Sequence, residues 1–580
     1  MEPIEIALVF VIGVIIIATV TALAPKVGVA GPLILTAVGV AISFLPFIPD
    51  IRLDASVILI GILPPLLYAA AVSLPAMEFR RDFGAIGGFS VLLVVITSVV
   101  LGFFFSLVIP GVSLALGIAL GAILSPTDAV ATSIVKKLGI SPRVVTVLEG
   151  ESLFNDATAL VLLRTAIAAT AGAFSFWDSV GDFSWAVFIA VVIGLVVGWI
   201  NLRVRAWVPS TAAATALSFV VPYLAYIPSE ELHGSGLVAA VVAGIVTGQG
   251  SARHFTAEQR LSDHVNWRTI ELLLEGAVFL IMGLEVRAII EDTNASSTGL
   301  GHAAIVAGGA CLIVLLVRSA YVAPLLWFLS RRSRRSATIR PLLEEYRTSW
   351  AEAPPAEKQR RMGRKFGHDR RNPERDAARW TRHINTRLAD ATYYETRPLA
   401  WREGVVLVWA GMRGAVTLAA AQTLPAGTPQ RSLLVLIAIL VAVGTLLIQG
   451  GTLSFVVKKL GLGGSRENES GVDEMEDVQA QLHAAALAAL QSPNLRQPDG
   501  SPFDPAIVAK ARDRWSAAPD PDRSARTTEM LKLRLAMIDA ERHRLTQLRR
   551  DGRYSTATLR AMMEALDSEE LGLHRRVYSD

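Results

Sequence analysis

Long apolar runs alternate with short polar connections from Ile4 to Val457, and beyond that point the pattern changes. A helix rises about 1.5 Å per residue, so roughly 18–20 apolar residues are needed to cross about 30 Å of hydrocarbon. Runs of that kind predict thirteen spans, near residues 4–24, 28–46, 55–73, 83–109, 112–135, 142–171, 183–201, 209–227, 235–250, 268–290, 301–329, 403–424 and 432–457. Two polar stretches interrupt the series: 331–400, between spans 11 and 12, and the tail, 462–580. The tail carries helical spacing at Leu531, Leu535, Ile538 and Leu545, then at Leu559, Met562, Met563 and Leu566, separated by the breaker DGRYS. It reads as a helical regulatory or dimer-packing domain, with a solvated appendage as the plain alternative. The expected organisation is a membrane part, 1–461, holding a long loop at 331–400, followed by a helical tail at 462–580.

Composition places the chain among all-α polytopic membrane proteins: 52% of its 580 residues are hydrophobic and only 18% charged, with a mean hydropathy of +0.46. The first run follows MEPIE, acidic where a signal peptide is basic, and so reads as a retained helix. Cys311 is the single cysteine, which excludes a disulfide framework and argues against cysteine-based metal or redox chemistry. Basic residues sort by side. Lys26, Arg80, Arg81, Lys136, Lys137, Arg143, Arg203, Arg205, Arg253, Arg260 and Arg268 fall on alternate connections, while the intervening ones carry only Arg52, Arg287 and Arg431. Positively biased connections stay cytoplasmic, so the N-terminus is expected outside the cell membrane and the C-terminus, with both polar stretches, inside. The formal net charge of +4 therefore reports topology, and no nucleic-acid partner is expected. No nucleotide, redox or hydrolase motif occurs, so neither an enzyme nor a cofactor is expected.

A charge at the bilayer centre costs about 2.5–3.5 kcal/mol on insertion scales, so charged spans mark polar pathways. Five spans carry such residues: Asp128 in span 5, the stretch LEGESLFNDATALVLLR in span 6, Glu271 and Glu275 in span 10, Arg318 in span 11 and Arg413 in span 12. Counted from Ser141-Pro142, Asp156 lies about 21 Å along span 6, near mid-membrane. At about 100° per residue, Glu149, Ser152 and Asp156 share one face, and Glu151 and Asn155 form a second stripe. A buried packing carboxylate is the competing account of Asp156, and an interfacial charge that of Glu149. Arg318 is too deep to reach water easily and requires a buried acid: Glu151 is the first candidate and Glu275 the second. Arg164, in the outer half of span 6, reads equally well as an interfacial anchor.

Two spans are broken. Pro126 removes a backbone donor and disfavours helical geometry at Ser125, and irregular backbone at membrane depth survives only beside a protein or water cavity. Freed carbonyls, the Thr127 hydroxyl and the Asp128 carboxylate are the hard oxygens that can replace the water shell of a monovalent cation. Span 12 carries WAGMRGAV, with Gly411 and Gly414 flanking Arg413. If spans 1–6 and 8–13 are inverted repeats, each broken span is the fifth of its half, and such helices cross near the midplane at the substrate site. Arg413 would there offset helix C-terminal dipoles, a snorkelling arginine being the alternative.

TDAVA in span 5, GESLFNDA in span 6, EGAVFLIMGL in span 10, the Arg318 helix, GMRGAV in span 12 and ILPPLLY in span 3 together resemble the NhaP/NHE-type monovalent cation–proton antiporters. The resemblance runs through roughly 1–460, with the motifs in order. It implies a thirteen-helix fold of inverted repeats, a homodimer, and alternating access of a core past a dimerisation domain. On matching positions it implies that Asp156 binds cation or proton, with Thr127, Asp128, Ser152 and Asn155 around it, and that Glu151 and Arg318 form a structural ion pair. The Asn155-Asp156 form goes with electroneutral exchange. The 331–400 insertion is longer than the family leads one to expect, and no role for the tail carries over.

The function expected is exchange of a monovalent cation for a proton, with sodium first and potassium or lithium after it. The partners are then those two ions, membrane lipid and a second copy of the chain. The alternatives are a cation channel using the same acids, and a membrane-anchored sensor signalling through its tail. A channel favours a symmetric pore ring, whereas paired broken helices favour a carrier.

Overall fold

A computed structural model describes the chain apart from residues 1–2, 28–30, 46–55, 129, 171–175, 295–299, 355–356, 358–372, 426, 463–476, 479, 483, 493–494, 498–499, 516–526 and 579–580. Arg52, used above for topology, lies outside the described residues. Among those described the chain is helical, with one isolated bridge, Arg496 to Pro502, in place of strands. The physical cause in the apolar part is general: hydrocarbon offers no hydrogen-bond partners, so each segment must satisfy its own backbone.

The helices are α1 (Pro3–Val27), α2 (Gly31–Ser43), α3 (Leu63–Ser73), α4 (Ala76–Gly87), α5 (Val94–Val108), α6 (Leu114–Ile123), α7 (Val130–Lys137), α8 (Pro142–Thr170), α9 (Phe176–Trp207), α10 (Thr211–Glu231), α11 (Gly236–His254), α12 (Ala257–Asn294) and α13 (Leu300–Glu352). They continue with α14 (Pro373–Thr396), α15 (Trp401–Trp409), α16 (Ala415–Gln422), α17 (Arg431–Thr445), α18 (Gly451–Lys459), α19 (Pro505–Trp515), α20 (Thr527–Asp551) and α21 (Thr556–Tyr578). Single π-helical stretches lead into α3 (Val57–Ile62), join α4 to α5 (Gly88–Leu93) and join α17 to α18 (Leu446–Gly450). Each span expected from the sequence contains helix among its described residues. Among the described residues six helical stretches are long and apolar enough to cross a membrane by length and composition alone. The spans at 112–135 and 403–424 fall short because each is two half-helices, α6 with α7 and α15 with α16.

The chain divides into two compact units: Met1–Phe255, Ser262–Phe328 and Leu399–Gly464 form the first; Thr256–Leu261, Leu329–Pro398 and Ser465–Asp580 form the second. Within the first, α3, α9, α10 and α11 pack densely with one another, and α4, α5, α6 and α8 form another dense group. Small residues bring backbones together in both. A Cβ placed on Gly244 of α11 would come within 2.8 Å of the Tyr68 carbonyl on α3. The outer surface is apolar: Leu107 is 84% exposed and Phe455 65%. Side chains of that kind on an outward face match lipid, not water.

Within the second unit, the described residues of the 331–400 connection are largely helical. Residues 331–352 continue α13, and α14 lies alongside: Ser333 donates to the Tyr394 carbonyl and Trp350 Nε1 to Thr381 Oγ1, pairs that run in opposite order along the two helices. Buried Trp350, Ile384, Leu388 and Tyr393 supply the apolar stripe that high charge density hid in the sequence. In the tail, α20 and α21 meet through Ile538, Leu545, Leu559, Met562 and Leu566. Gly552, with φ +69°, turns the chain between them at the DGRYS breaker.

Candidate functional site

Both broken segments lie in the first unit, and they touch. α6 ends at Ile123, residues 125–128 lie outside regular helix, and α7 begins at Val130; α15 ends at Trp409 and α16 begins at Ala415. The Asp128 N–H donates to the Met412 carbonyl at 2.9 Å, tying one break to the other through backbone. Gly414 lies so close to the Asp128 carboxylate that a Cβ there would overlap it. The crossing therefore assembles two helix C-termini, with partial negative charge, and two N-termini, with partial positive charge. Asp128 Oδ1 accepts from the Val130 N–H at 2.9 Å, capping α7. Arg413, 2% exposed, donates from Nη1 to the Gly411 carbonyl at 3.0 Å, two residues past the end of α15. Its N–H donates to Thr445 Oγ1 on α17 at 2.9 Å.

Against this crossing runs α8, with Asp156 at its midpoint. Asp156 is 4% exposed, one of its carboxylate oxygens has no protein partner, and Asp128 is its charged neighbour. Beside it, Asn155 Nδ2 donates to Thr127 Oγ1 at 2.7 Å, and that hydroxyl donates to Glu151 Oε1 at 3.1 Å. Arg318 holds Glu151 with both terminal nitrogens, at 2.5 and 2.7 Å, and gives its Nε–H to the Leu407 carbonyl at 2.7 Å. One buried network thus runs from α8 through the first break to α13 and the last turn of α15. The pair is bidentate, the geometry in which guanidinium and carboxylate bind best.

Not every residue singled out from the sequence sits as expected. The Thr127 hydroxyl is committed on both sides to Asn155 and Glu151, so it orients the network before it serves as an oxygen ligand. Ser152 donates to the Glu149 carbonyl at 3.2 Å. Glu275, the second candidate for Arg318, instead has Asp128, Glu271 and Lys137 as its charged neighbours. Glu149 pairs with Lys136. Arg164 meets Glu230 of α10 at 3.1 Å, across an open cavity of about 740 Å³ lined also by Tyr226, Glu231, Gln422 and Arg431.

The comparisons bear on this geometry. The family model described as the sodium/hydrogen exchanger, transmembrane, matches residues 12–348 and 381–459. The chain belongs to that family. An uncharacterised Na(+)/H(+) exchanger of Mycobacterium tuberculosis is 27% identical to this exchanger over 566 residues, covering 95% of this chain and 93% of the relative. A low-affinity Na(+)/H(+) antiporter of Synechocystis is 27% identical over 463 residues, covering 79% and 75%. The solved sodium proton antiporter MjNhaP1 from Methanocaldococcus jannaschii superposes with a TM-score of 0.55 at 17% identity, covering 79% of this chain and 99% of that one, and carries the likeness of fold. The exchanger is accordingly a multi-pass membrane protein of a family of secondary transporters, not enzymes, and its activity is cation/proton exchange.

Three buried groups of the exchanger escaped sequence reasoning. Asp82 of α4 accepts Nε and Nη2 of Arg143 at 2.9 and 2.7 Å, with both side chains 1% exposed. Arg205 of α9 donates to both carboxylate oxygens of Asp263 at 2.8 Å and lies over the Phe255 ring, 4.2 Å from its centroid. Glu285 of α12, 2% exposed, accepts from Gln422 at the end of α16. The first two arginines sit at span ends, where charge counts toward topology and says nothing of a partner on another helix; Glu285 followed Glu271 and Glu275 in the same span, and nothing distinguished it.

Gly414 yields a direct prediction. Gly414→Ala drives a methyl into the Asp128 carboxylate, and overpacking of this kind costs about 1–3 kcal/mol. Exchange in proteoliposomes is expected to fall about tenfold or more as the two breaks separate, whereas Gly444→Ala, with open space at its Cβ position, should transport normally.

Proposed function

We propose that this exchanger carries sodium against protons one for one, with Asp156 holding either ion in turn. The observation that carries the proposal is Asp156 itself: a buried carboxylate at the middle of a membrane helix, with an oxygen lacking any protein partner, beside two crossed helix breaks. A carboxylate binds a proton or a cation but not both at once. If the helices around it cross only when Asp156 is neutralised, the two fluxes are coupled, because the empty anionic site meets the charge barrier of the membrane. Glu151 does not enter the charge balance, since Arg318 neutralises it in place. With Asp156 as the one carboxylate that exchanges proton for cation, and Asp128 keeping its charge state throughout, the proposed exchange is electroneutral. Sodium is proposed before potassium and lithium, in keeping with the substrate named for the Synechocystis relative.

The proposal includes a homodimer of thirteen-span chains in the cell membrane, built on inverted repeats, with the N-terminus outside and the C-terminus in the cytoplasm. Two dense helix groups in the first unit support alternating access, with the Arg164–Glu230 pair joining the helix of Asp156 to α10 of the other group. Asp156, Asp128, Asn155 and Ser152 form the proposed ion site, Thr127 orients it, and Glu151 with Arg318 and Arg413 hold the crossing.

The test is reconstitution into proteoliposomes with an imposed pH gradient. Sodium should dissipate the gradient, lithium and potassium should rank below it, and clamping the voltage with valinomycin and potassium should leave the sodium-driven rate unchanged. Absence of cation-dependent proton movement would sink the proposal, and single-channel currents would establish a channel in its place.

A further inference from the structure

Threonine in a membrane helix ordinarily returns its hydroxyl proton to the carbonyl four residues back. The first unit does this repeatedly: Thr21 bonds the Ile17 carbonyl, Thr36 that of Pro32, Thr146 that of Pro142, Thr158 that of Phe154 and Thr165 that of Val161, at 2.7–3.3 Å. Thr132 and Thr417 do not. Their side chains are buried, at 4% and 0% exposure, and neither Oγ1 has a hydrogen-bond partner. A buried hydroxyl without a partner is disfavoured and needs a physical reason for its presence.

Their places in the fold supply one. Each stands in the first turn of a half-helix: Thr132 four residues after Asp128 on α7, and Thr417 three residues after Gly414 on α16, with its N–H donating to the Gly414 carbonyl at 3.1 Å. Residues three and four apart share a helix face, and side chains lean toward the helix N-terminus. Both hydroxyls are thereby carried toward the point where Gly414 abuts the Asp128 carboxylate. The carbonyl that would ordinarily receive each proton belongs to Asp128 or Arg413, residues outside regular helix. A valine fits either position as well by shape, so the hydroxyl is the feature to be explained.

We infer that Thr132 and Thr417 donate hydroxyl oxygens to the transported monovalent cation, one from each broken helix, completing the shell that Asp156 begins and setting selectivity among lithium, sodium and potassium. The inference rests on the exchange proposal above. A hard cation leaving water must recover several oxygens at once, and a single carboxylate supplies two. α7 and α16 both begin at the crossing, so each broken helix brings one such hydroxyl to its first turn there.

The experiment is cation-driven proton flux in proteoliposomes of the full chain carrying Thr132→Val, Thr417→Val, Thr132→Ser, Thr417→Ser or Asp156→Asn. The valine variants should raise the apparent KM for sodium roughly tenfold or more and change the lithium-to-sodium ratio, and serine should restore both. Melting temperatures in detergent should stay level or rise with valine, because no protein hydrogen bond is removed. Valine variants with unchanged KM and cation ranking overturn the inference, as do serine variants as impaired as valine, or valine variants that melt earlier and so reveal a structural role. If Asp156→Asn is inactive while the valine variants transport normally, the inference fails alone. If Asp156→Asn transports normally, the exchange proposal fails and takes the inference with it.

Discussion

Asp156→Asn is expected to reduce sodium-driven proton flux to the level of protein-free liposomes while leaving the exchanger folded. Asparagine preserves the size of the side chain and removes the capacity to carry a negative charge or a titrating proton, the two properties on which the proposed competition depends. The expected loss is at least about a hundredfold, since a neutral amide in place of the carboxylate withdraws a charge-assisted contact inside a buried site. Stability should move the other way. Asp156 is buried with an oxygen lacking a partner, and exchanging a poorly solvated carboxyl for a neutral group relieves strain held for function. Flux and melting temperature measured on the same preparation therefore separate a damaged fold from a lost site. An Asp156→Asn protein that dissipates the gradient at the native rate removes this residue from the mechanism.

Breaking the Glu151–Arg318 pair should cost more stability than any other single change considered. Both side chains are 2% exposed, and two short contacts join them. Removing one partner leaves the other as an uncompensated buried charge, a loss of about 3–5 kcal/mol in comparable pairs. Glu151→Gln keeps an acceptor for Thr127 but strands the guanidinium. Arg318→Leu strands the carboxylate and also frees the Leu407 carbonyl at the end of α15. Arg318→Lys is not conservative, because one ammonium cannot hold both carboxylate oxygens and that carbonyl in the fork geometry of arginine. The measurement is thermal unfolding in detergent. Each single variant should melt well below the parent, and the double variant Glu151→Leu with Arg318→Met should recover much of the loss. Single variants melting within a degree of the parent would show that the pair contributes little to holding the crossing.

The broken helices were legible in the sequence because their signals are local: Pro126 cannot donate a backbone hydrogen bond, and Gly411 and Gly414 flank a charge in an apolar run. Asp156 was legible for the same reason, as a carboxylate placed deep by residue count. Partners were less so. Arg318 pointed to two acids, and only packing selected Glu151 over Glu275. Asp82 with Arg143 and Arg205 with Asp263 went unseen, because each pair joins residues far apart in sequence whose charges also fit a solvated span end. The 331–400 stretch read as loop because its charged residues outnumber the apolar positions, yet Trp350, Ile384 and Leu388 are buried.

By itself the sequence determined the all-helical membrane character, the position of the breaks and the depth of the acidic residue, since hydrocarbon thickness and backbone satisfaction act on consecutive residues. The tertiary structure alone decided which charge neutralises which, that Asp128 is tied to Met412, that the Thr127 hydroxyl is already committed, and that Thr132 and Thr417 are left with free oxygens. Those outcomes depend on distances of a few ångströms between helices remote in sequence, and hydrogen bonding falls away over that range too steeply for spacing along the chain to predict it.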